Sequence, residues 1–232
     1  EALCLEGYTG AVDAVQRHVR AFARRRHPST TAFIPQSFAS GEAYQFDWSH
    51  EHVELGGVEQ VVKVAHLRLC YSRAFFLVAY PRESQEMVFD SHARAFEFFG
   101  GVPRRGIYDN LKPAVDAIFV GRARRYNRRF LVMCNHYLIE PTACTPASGW
   151  EKGQVENQVG NVREWLFTPK VRCGDLAELN AHLAARCLQL ARERAHPEQS
   201  ERKIIELWDE ERADLRAMPI PFDGYAEKSG LV

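Results

Sequence analysis

Three acidic residues stand where the sequence gives a charge a use. Asp47 lies inside the apolar, strand-like run Ala43-Tyr44-Gln45-Phe46-Asp47-Trp48-Ser49. Asp109 ends the run Arg105-Gly106-Ile107-Tyr108-Asp109-Asn110, and Glu156 sits in Lys152-Gly153-Gln154-Val155-Glu156-Asn157, where a turn leads into a helix. Singly, each has a bland explanation: an Asp in a strand is usually edge-exposed, Asp109-Asn110 reads as a turn, and surface glutamates on helices are ordinary. Together they fit one chemistry. Phosphoryl transfer on nucleic acid uses two divalent ions about 3.5–4 Å apart, and Mg²⁺ takes a few carboxylate oxygens while keeping water and phosphate as its other ligands. An Asp at mid-strand and an Asp ending a neighbouring strand can point over the same sheet edge, and a Glu on an adjacent helix can close the third side.

Competing chemistries find less support. The serines lack a GxSxG elbow, no GxxxxGK[ST] loop is present, and the cysteines have no nearby ordered histidine. His50-Glu51-His52 follows Asp47 closely but lacks the HExxH spacing that sets two histidines on one helix face, so a zinc site there is a weak alternative.

The elements that must position these acids can be read from periodicity. Tyr8 to Arg26 is one basic helix, with Val12, Val15, Val19 and Phe22 at helical spacing. His27 to Ser40, with Pro28 and Pro35, has no period and reads as a linker. Ala43–Trp48, Val58–Leu69 and Ser72–Tyr80 are strand-like and joined by short turns, with Gly56-Gly57 between the first two, which predicts an antiparallel meander. Ser84 to Phe99 is helical and stops at Gly100-Gly101. A strand over Arg105–Asp109, a basic helix over Arg122–His136, a short strand over Tyr137–Pro141 and a helix from about Gly149 to Phe167 follow. The order of three strands, helix, strand, helix, strand, helix predicts an α/β fold: a ribonuclease-H-like mixed five-stranded sheet flanked by helices, with helical extensions at both ends. It is preferred to a doubly wound sheet because the first three strands lack crossovers. Two further helices are expected over Leu176–His196 and Ser200–Arg216.

The bulk properties set limits. Lys+Arg and Asp+Glu each number 30, so net charge gives no argument for a nucleic-acid partner and only local clusters can. Six scattered cysteines without a CxxC pair read as reduced apolar fillers of a cytosolic protein. No apolar run approaches the roughly 18 residues of a membrane span. The start at Glu1 reads as that of a fragment.

At the three acids a family likeness becomes plain. Gln45-Phe46-Asp47-Trp48, then Pro103-Arg104-Arg105-Gly106-Ile107-Tyr108-Asp109-Asn110-Leu111-Lys112, then Lys152-Gly153-Gln154-Val155-Glu156-Asn157 resemble the integrase core of IstA-type insertion-sequence transposases, relatives of retroviral integrase. The Asp-Asn-Leu-Lys and Lys-Gly-x-Val-Glu elements are its most specific part. Gly7-Tyr8-Thr9-Gly10 and its basic helix resemble the tail of the family's helix-turn-helix region, and Leu176 through Phe222 resembles its stretch after the core. The resemblance implies a helix-turn-helix tail over 1–27, a linker over 28–40, a catalytic core over 41–168, a helical extension over 169–216 and the start of a further region over 217–232. It implies that Asp47, Asp109 and Glu156 are a DDE triad holding two Mg²⁺ or Mn²⁺ ions. The implied activity is metal-dependent cleavage at transposon ends and joining of those ends to target DNA. The implied setting is a homo-oligomer on DNA in the bacterial cytoplasm, associated with the nucleoid, with an IstB-type AAA+ ATPase partner. The alternatives are a ribonuclease-H-like nuclease and a non-catalytic DNA-binding or assembly module of the same fold.

Charge alone supplies the candidates for DNA contact. Arg122, Arg124, Arg125, Arg128 and Arg129 carry no acid between them and interleave with Tyr126 and Phe130. A solvated arginine face is the plain alternative. Lys112 and Lys152 neighbour the triad in sequence and read as phosphate holders, with Asn110 and Asn157 as polar support, whereas Trp48 and Trp150 read as core or site-wall residues.

Overall fold

The computed structural model describes residues 37–108, 115–118, 124–143 and 162–224. Its backbone is set by two long strands, β1 (Ala43–Leu55) and β2 (Val58–Leu69), paired antiparallel. The loop between them is the two residues Gly56 and Gly57, with φ of 59° and 81°. A two-residue turn with both φ positive matches the twist of the flanking strands, and glycine reaches that conformation without a Cβ penalty.

β3 (Phe75–Tyr80) pairs antiparallel with β2, which completes the expected meander. Beyond it come α1 (Gln85–Phe99), β4 (Arg105–Tyr108), β5 (Val115–Ile118), β6 (Arg124–Tyr126), α2 (Arg128–His136) and β7 (Glu140–Ala143). A helical stretch over 162–167, α3, is followed by β8 (Arg172–Cys173), α4 (Leu176–Glu193) and α5 (Ile204–Glu211). The sheet runs β3-β2-β1-β4-β7, with β4 and β7 parallel to β1 and β8 added to the far end of β1. The expected sheet of five strands is present, with β8 as a sixth and β5–β6 as a separate ribbon.

Each face of the sheet buries its own core. Tyr44, Phe46, Leu67 and Leu69 meet Val88, Phe89, Phe96 and Phe99 of α1 on one face. Val53, Val62, Val64 and Leu77 meet Val162, Leu166, Leu179, Leu183 and Cys187 on the other. α1 begins at Ser84, whose side chain accepts from the Met87 N–H, and ends at Gly100 with φ 84°. α4 keeps the predicted stripe of Leu179, Leu183, Cys187 and Leu190, and also covers the edge strand. Asn180 accepts from the Ala79 N–H at 2.6 Å and donates to the Ala79 carbonyl at 3.0 Å, so β3 does not offer that backbone pair to another chain.

Several expected elements shift. The basic segment expected as one helix over Arg122–His136 divides: Arg124–Tyr126 is a strand paired with β5, and the helix starts only at Arg128, capped by Asn127, whose side chain accepts from the Arg129 N–H at 2.8 Å. Tyr137 closes that helix rather than opening a strand, and β7 begins three residues later at Glu140. The two C-terminal helices are shorter than expected, at Leu176–Glu193 and Ile204–Glu211. Cys70, Cys134 and Cys187 are buried thiols, as expected of fillers. Among the described residues no helix is long and apolar enough to cross a membrane.

Candidate functional site

β1 alternates cleanly along its first half. Tyr44, Phe46 and Trp48 face the α1 core, so Gln45, Asp47, Ser49 and Glu51 must all face the opposite side. Four consecutive polar residues on one sheet face form a polar strip beside the apolar patch that begins at Val53.

Cross-strand partners complete the strip. The hairpin register puts Arg68 opposite Gln45 and His66 opposite Asp47. Arg68 donates to Gln45 Oε1 at 3.0 Å, and Ser49 Oγ lies 2.7 Å from His66 Nε2. His66 is only 5% exposed, and burial, with Arg163 nearby, pushes its pKa down to about 3. It is therefore neutral at pH 7, and its Nδ1 has no hydrogen-bond partner among the described residues. Asp47 is half-buried, and its Oδ1 accepts from the Trp48 N–H at 2.8 Å. Glu51 forms a two-point ion pair with Arg163 of α3, at 2.9 Å and 3.0 Å.

The other side of β1 divides. β4 pairs with residues 43–46 and β8 with residues 54 and 55. Asp47 follows the last described pair of β1 and β4, beside the described carboxyl ends of the parallel strands β4 and β7, where open α/β sheets place their ligands. Tyr108, the last described residue of β4, is in register with Phe46. A polar relay beneath the strip fixes this register. The hydroxyls of Tyr44 and Tyr108 are bonded to each other, Tyr108 Oη lies 3.2 Å from His92 Nε2, and His92 Nδ1 donates to the Val88 carbonyl at 2.6 Å. Gly106 passes over the two hydroxyls, where a Cβ would lie 2.5 Å and 2.7 Å from them.

Of the expected site residues, Asp47 is the one this geometry positions. Asp109, Glu156, Lys112, Lys152, Arg122, Asn110, Asn157 and Trp150 lie outside the described residues. Arg124 and Arg125 are on β6, and Arg128 and Arg129 open α2. Arg129 is engaged within the chain, by Glu86 at 3.0 Å, by the Gly224 carbonyl and by the Phe89 ring. Trp48 packs against the core as expected, its ring edge-on to Phe46 and Tyr80. The His50-Glu51-His52 zinc alternative does not form, because strand alternation sends Glu51 to the face opposite its neighbours and His50 pairs with Glu83 at 2.6 Å. Among the described residues no three His, Cys, Asp or Glu side chains cluster to hold a metal. Asp47 itself, a hard oxygen donor on a polar strip without a thiol, suits Mg²⁺ or Mn²⁺.

His66, Arg68 and Arg163 were not singled out from sequence, and Glu51 was read only as part of the zinc alternative. The signal for the first two was present. With the turn fixed at Gly56-Gly57, Asp47 lies nine residues before it (56 − 47 = 9) and His66 nine after it (66 − 57 = 9), so the pairing can be counted.

Comparison with known proteins agrees with this arrangement. Residues 37–148 match the integrase core domain family. The chain is 42% identical over 235 residues to the transposase for insertion sequences IS1326/IS1353 of Pseudomonas aeruginosa, covering 97% of this chain and 45% of that protein. It is 31% identical over 179 residues to the IS21 transposase of the same organism, covering 76% of this chain and 45% of that protein. It thus spans somewhat less than half the length of these curated relatives. The fold matches the magnesium-bound catalytic core domain of HTLV-2 integrase in its dimeric form, with a TM-score of 0.55 at 14% identity over 75% of this chain and 99% of that one.

Proposed function

We propose that this chain, which belongs with the insertion-sequence DDE transposases of the IS21 type and carries their integrase core domain, cleaves DNA at transposon ends and joins those ends to target DNA. The observation that carries the reading is the register of β1 against β4. Phe46 and Tyr108 are paired neighbours on parallel strands, and the residues that follow them are Asp47 and Asp109. Parallel strands alternate in step, so a β4 that continued by one residue would turn Asp109 to the same face as Asp47. Glu156 precedes Arg163 by seven residues, and Arg163 is held against Glu51 on that face.

Asp47, Asp109 and Glu156 are accordingly the residues that would hold two Mg²⁺ or Mn²⁺ ions. Bound there, such ions supply activation of the attacking water or 3′-hydroxyl and neutralise charge on the leaving oxygen. The chain's own contribution is to orient the carboxylates and to exclude rival geometries. The Tyr44–Tyr108–His92 relay locks β4 against β1. Lys112, Lys152 and the arginines at 122, 124, 125 and 128 are phosphate-contact candidates, whereas Arg129 would have to leave its partners first. The DNA ends and target, a homo-oligomer, an IstB-type ATPase and work at the bacterial nucleoid in the cytoplasm complete the proposal, as do the domain limits at residues 27, 40, 168 and 216.

The test offers a labelled DNA end with Mg²⁺ or Mn²⁺ and follows cleavage and strand joining separately. The proposal expects both, and expects Asp47→Asn to abolish both. Cleavage of RNA–DNA hybrids without any joining would favour the nuclease reading and overturn this one.

A further inference from the structure

We infer that Arg68 is a phosphate-binding residue, gripping a backbone phosphate of the DNA strand that passes Asp47. The inference deepens the proposed function and rests on its reading of DNA as the substrate.

Arg68 stands opposite Gln45 in the β1–β2 register, one step along the polar face from the Asp47 and His66 pair. Its Nη2 donates to Gln45 Oε1 at 3.0 Å. That bond uses one of the five N–H groups of a guanidinium, and it meets a neutral amide, so the charge is left without an opposite. Nε is buried and has no hydrogen-bond partner among the described residues.

The neighbouring arginines are matched by carboxylates. On the sheet, Arg105 pairs with Glu42 and Arg172 with Glu54. At the turn between β2 and β3, Arg73 pairs with Glu198, and on the polar face Arg163 pairs with Glu51. Among the described residues Arg68 has no such carboxylate, and its bond to Gln45 stands alone. Burial, with the charge of Arg73 nearby, pushes its pKa down to about 10, which leaves it a cation at pH 7. A half-buried cation without a counter-charge weakens the fold, and sequences keep such a local conflict where a ligand resolves it.

The position says which anion resolves it. Asp47 is the diagonal neighbour of Arg68 across the hairpin, and such neighbours lie about 7–8 Å apart, within reach of long side chains. A phosphate held by metal ions on Asp47, or the next one along the same strand, therefore falls within range of the guanidinium. Its planar fork of donors matches two phosphate oxygens at once. Gln45, bonded at Nη2, sets the plane of that fork before the ligand arrives.

A structural arginine and a ligand-binding one differ in what their removal does. The first stabilises the free protein, whereas the second is a buried charge whose replacement by an apolar side chain is neutral or stabilising. The experiment therefore takes Arg68→Met and Arg68→Lys in the whole chain, with two readouts. One is the Tm without DNA. The other is the affinity for duplex DNA by fluorescence anisotropy across a salt series, without divalent metal so that no strand is cut. Arg68→Met is expected to keep a Tm equal to or above the wild type, and to reduce the slope of log affinity against log salt by about 0.9. That change weakens binding about tenfold near 0.1 M salt relative to 1 M, on a transposon-end duplex and an unrelated one alike. Arg68→Lys, which keeps the charge, is expected to keep the slope.

Wild-type slope and affinity in Arg68→Met, in a protein whose wild type still joins DNA ends, overturns this inference alone. A lowered Tm with unchanged DNA binding makes Arg68 structural and also overturns it. A wild-type chain that binds no duplex overturns the proposed function and this inference with it.

Discussion

Lowering the pH from 8 to 5 should weaken the fold through His92, and the size of the effect can be worked from its surroundings. His92 is fully buried between Tyr44, Phe46 and Phe96, and burial pushes its pKa down to about 4 from the ordinary 6.5. Its Nδ1 donates to Val88, so its Nε2 must accept from the Tyr108 hydroxyl, and a proton added at Nε2 would turn that acceptor into a donor. Because the folded value is depressed, the unfolded chain binds the proton first. The stability contribution is complete above about pH 6.5 and is lost as pH falls towards 4. At pH 5 the loss is about 2 kcal/mol, from RT times the logarithm of the ratio of the two proton-binding terms. Urea denaturation at constant ionic strength, comparing the wild type with His92→Gln, isolates this term. The wild type should lose about 2 kcal/mol more than the variant between pH 8 and pH 5, at unchanged m-value. Parallel curves for the two proteins would refute the account of a buried neutral acceptor.

Other substitutions test the frame of the site. Gly106→Ala places a Cβ against the Tyr44 and Tyr108 hydroxyls and should cost about 1–3 kcal/mol by overpacking, read as a lowered Tm; an unchanged Tm would mean the relay yields freely. Asn180→Leu removes both bonds that cap Ala79 on the edge strand, leaving a buried backbone pair unmet at about 1–3 kcal/mol and raising concentration-dependent aggregation by light scattering. A wild-type urea midpoint in that variant would show that the edge is protected by other means.

What the sequence disclosed follows from the range of the signal. α1 was legible because its start at Ser84 and its stop at Gly100 are local chemistry, and the β1–β2 hairpin because two adjacent glycines supply the turn. The Arg122–His136 segment misled because its apolar positions, Phe130, Met133 and Cys134, lie only in its second half, while β6 is three residues long with no alternation to detect. The Asn127 cap was the available signal for the true start. At Tyr137 an aromatic residue read as strand, although the helix ends there and Leu138 takes a left-handed φ of 56° without a glycine to announce it. The three acids were proposed from type and order. The groups around Asp47 were not, since His66 needs the register and the Glu51–Arg163 pair joins residues 112 apart. Only folding brings that pair together.

The central claim is that Asp47 binds divalent metal together with Asp109 and Glu156. Its most direct test is anomalous diffraction from crystals soaked in Mn²⁺. The account predicts manganese peaks within carboxylate bonding distance of Asp47, shared with Asp109 and Glu156 and lost in Asp47→Asn. Manganese bound elsewhere, with Asp47 left uncoordinated, would contradict it.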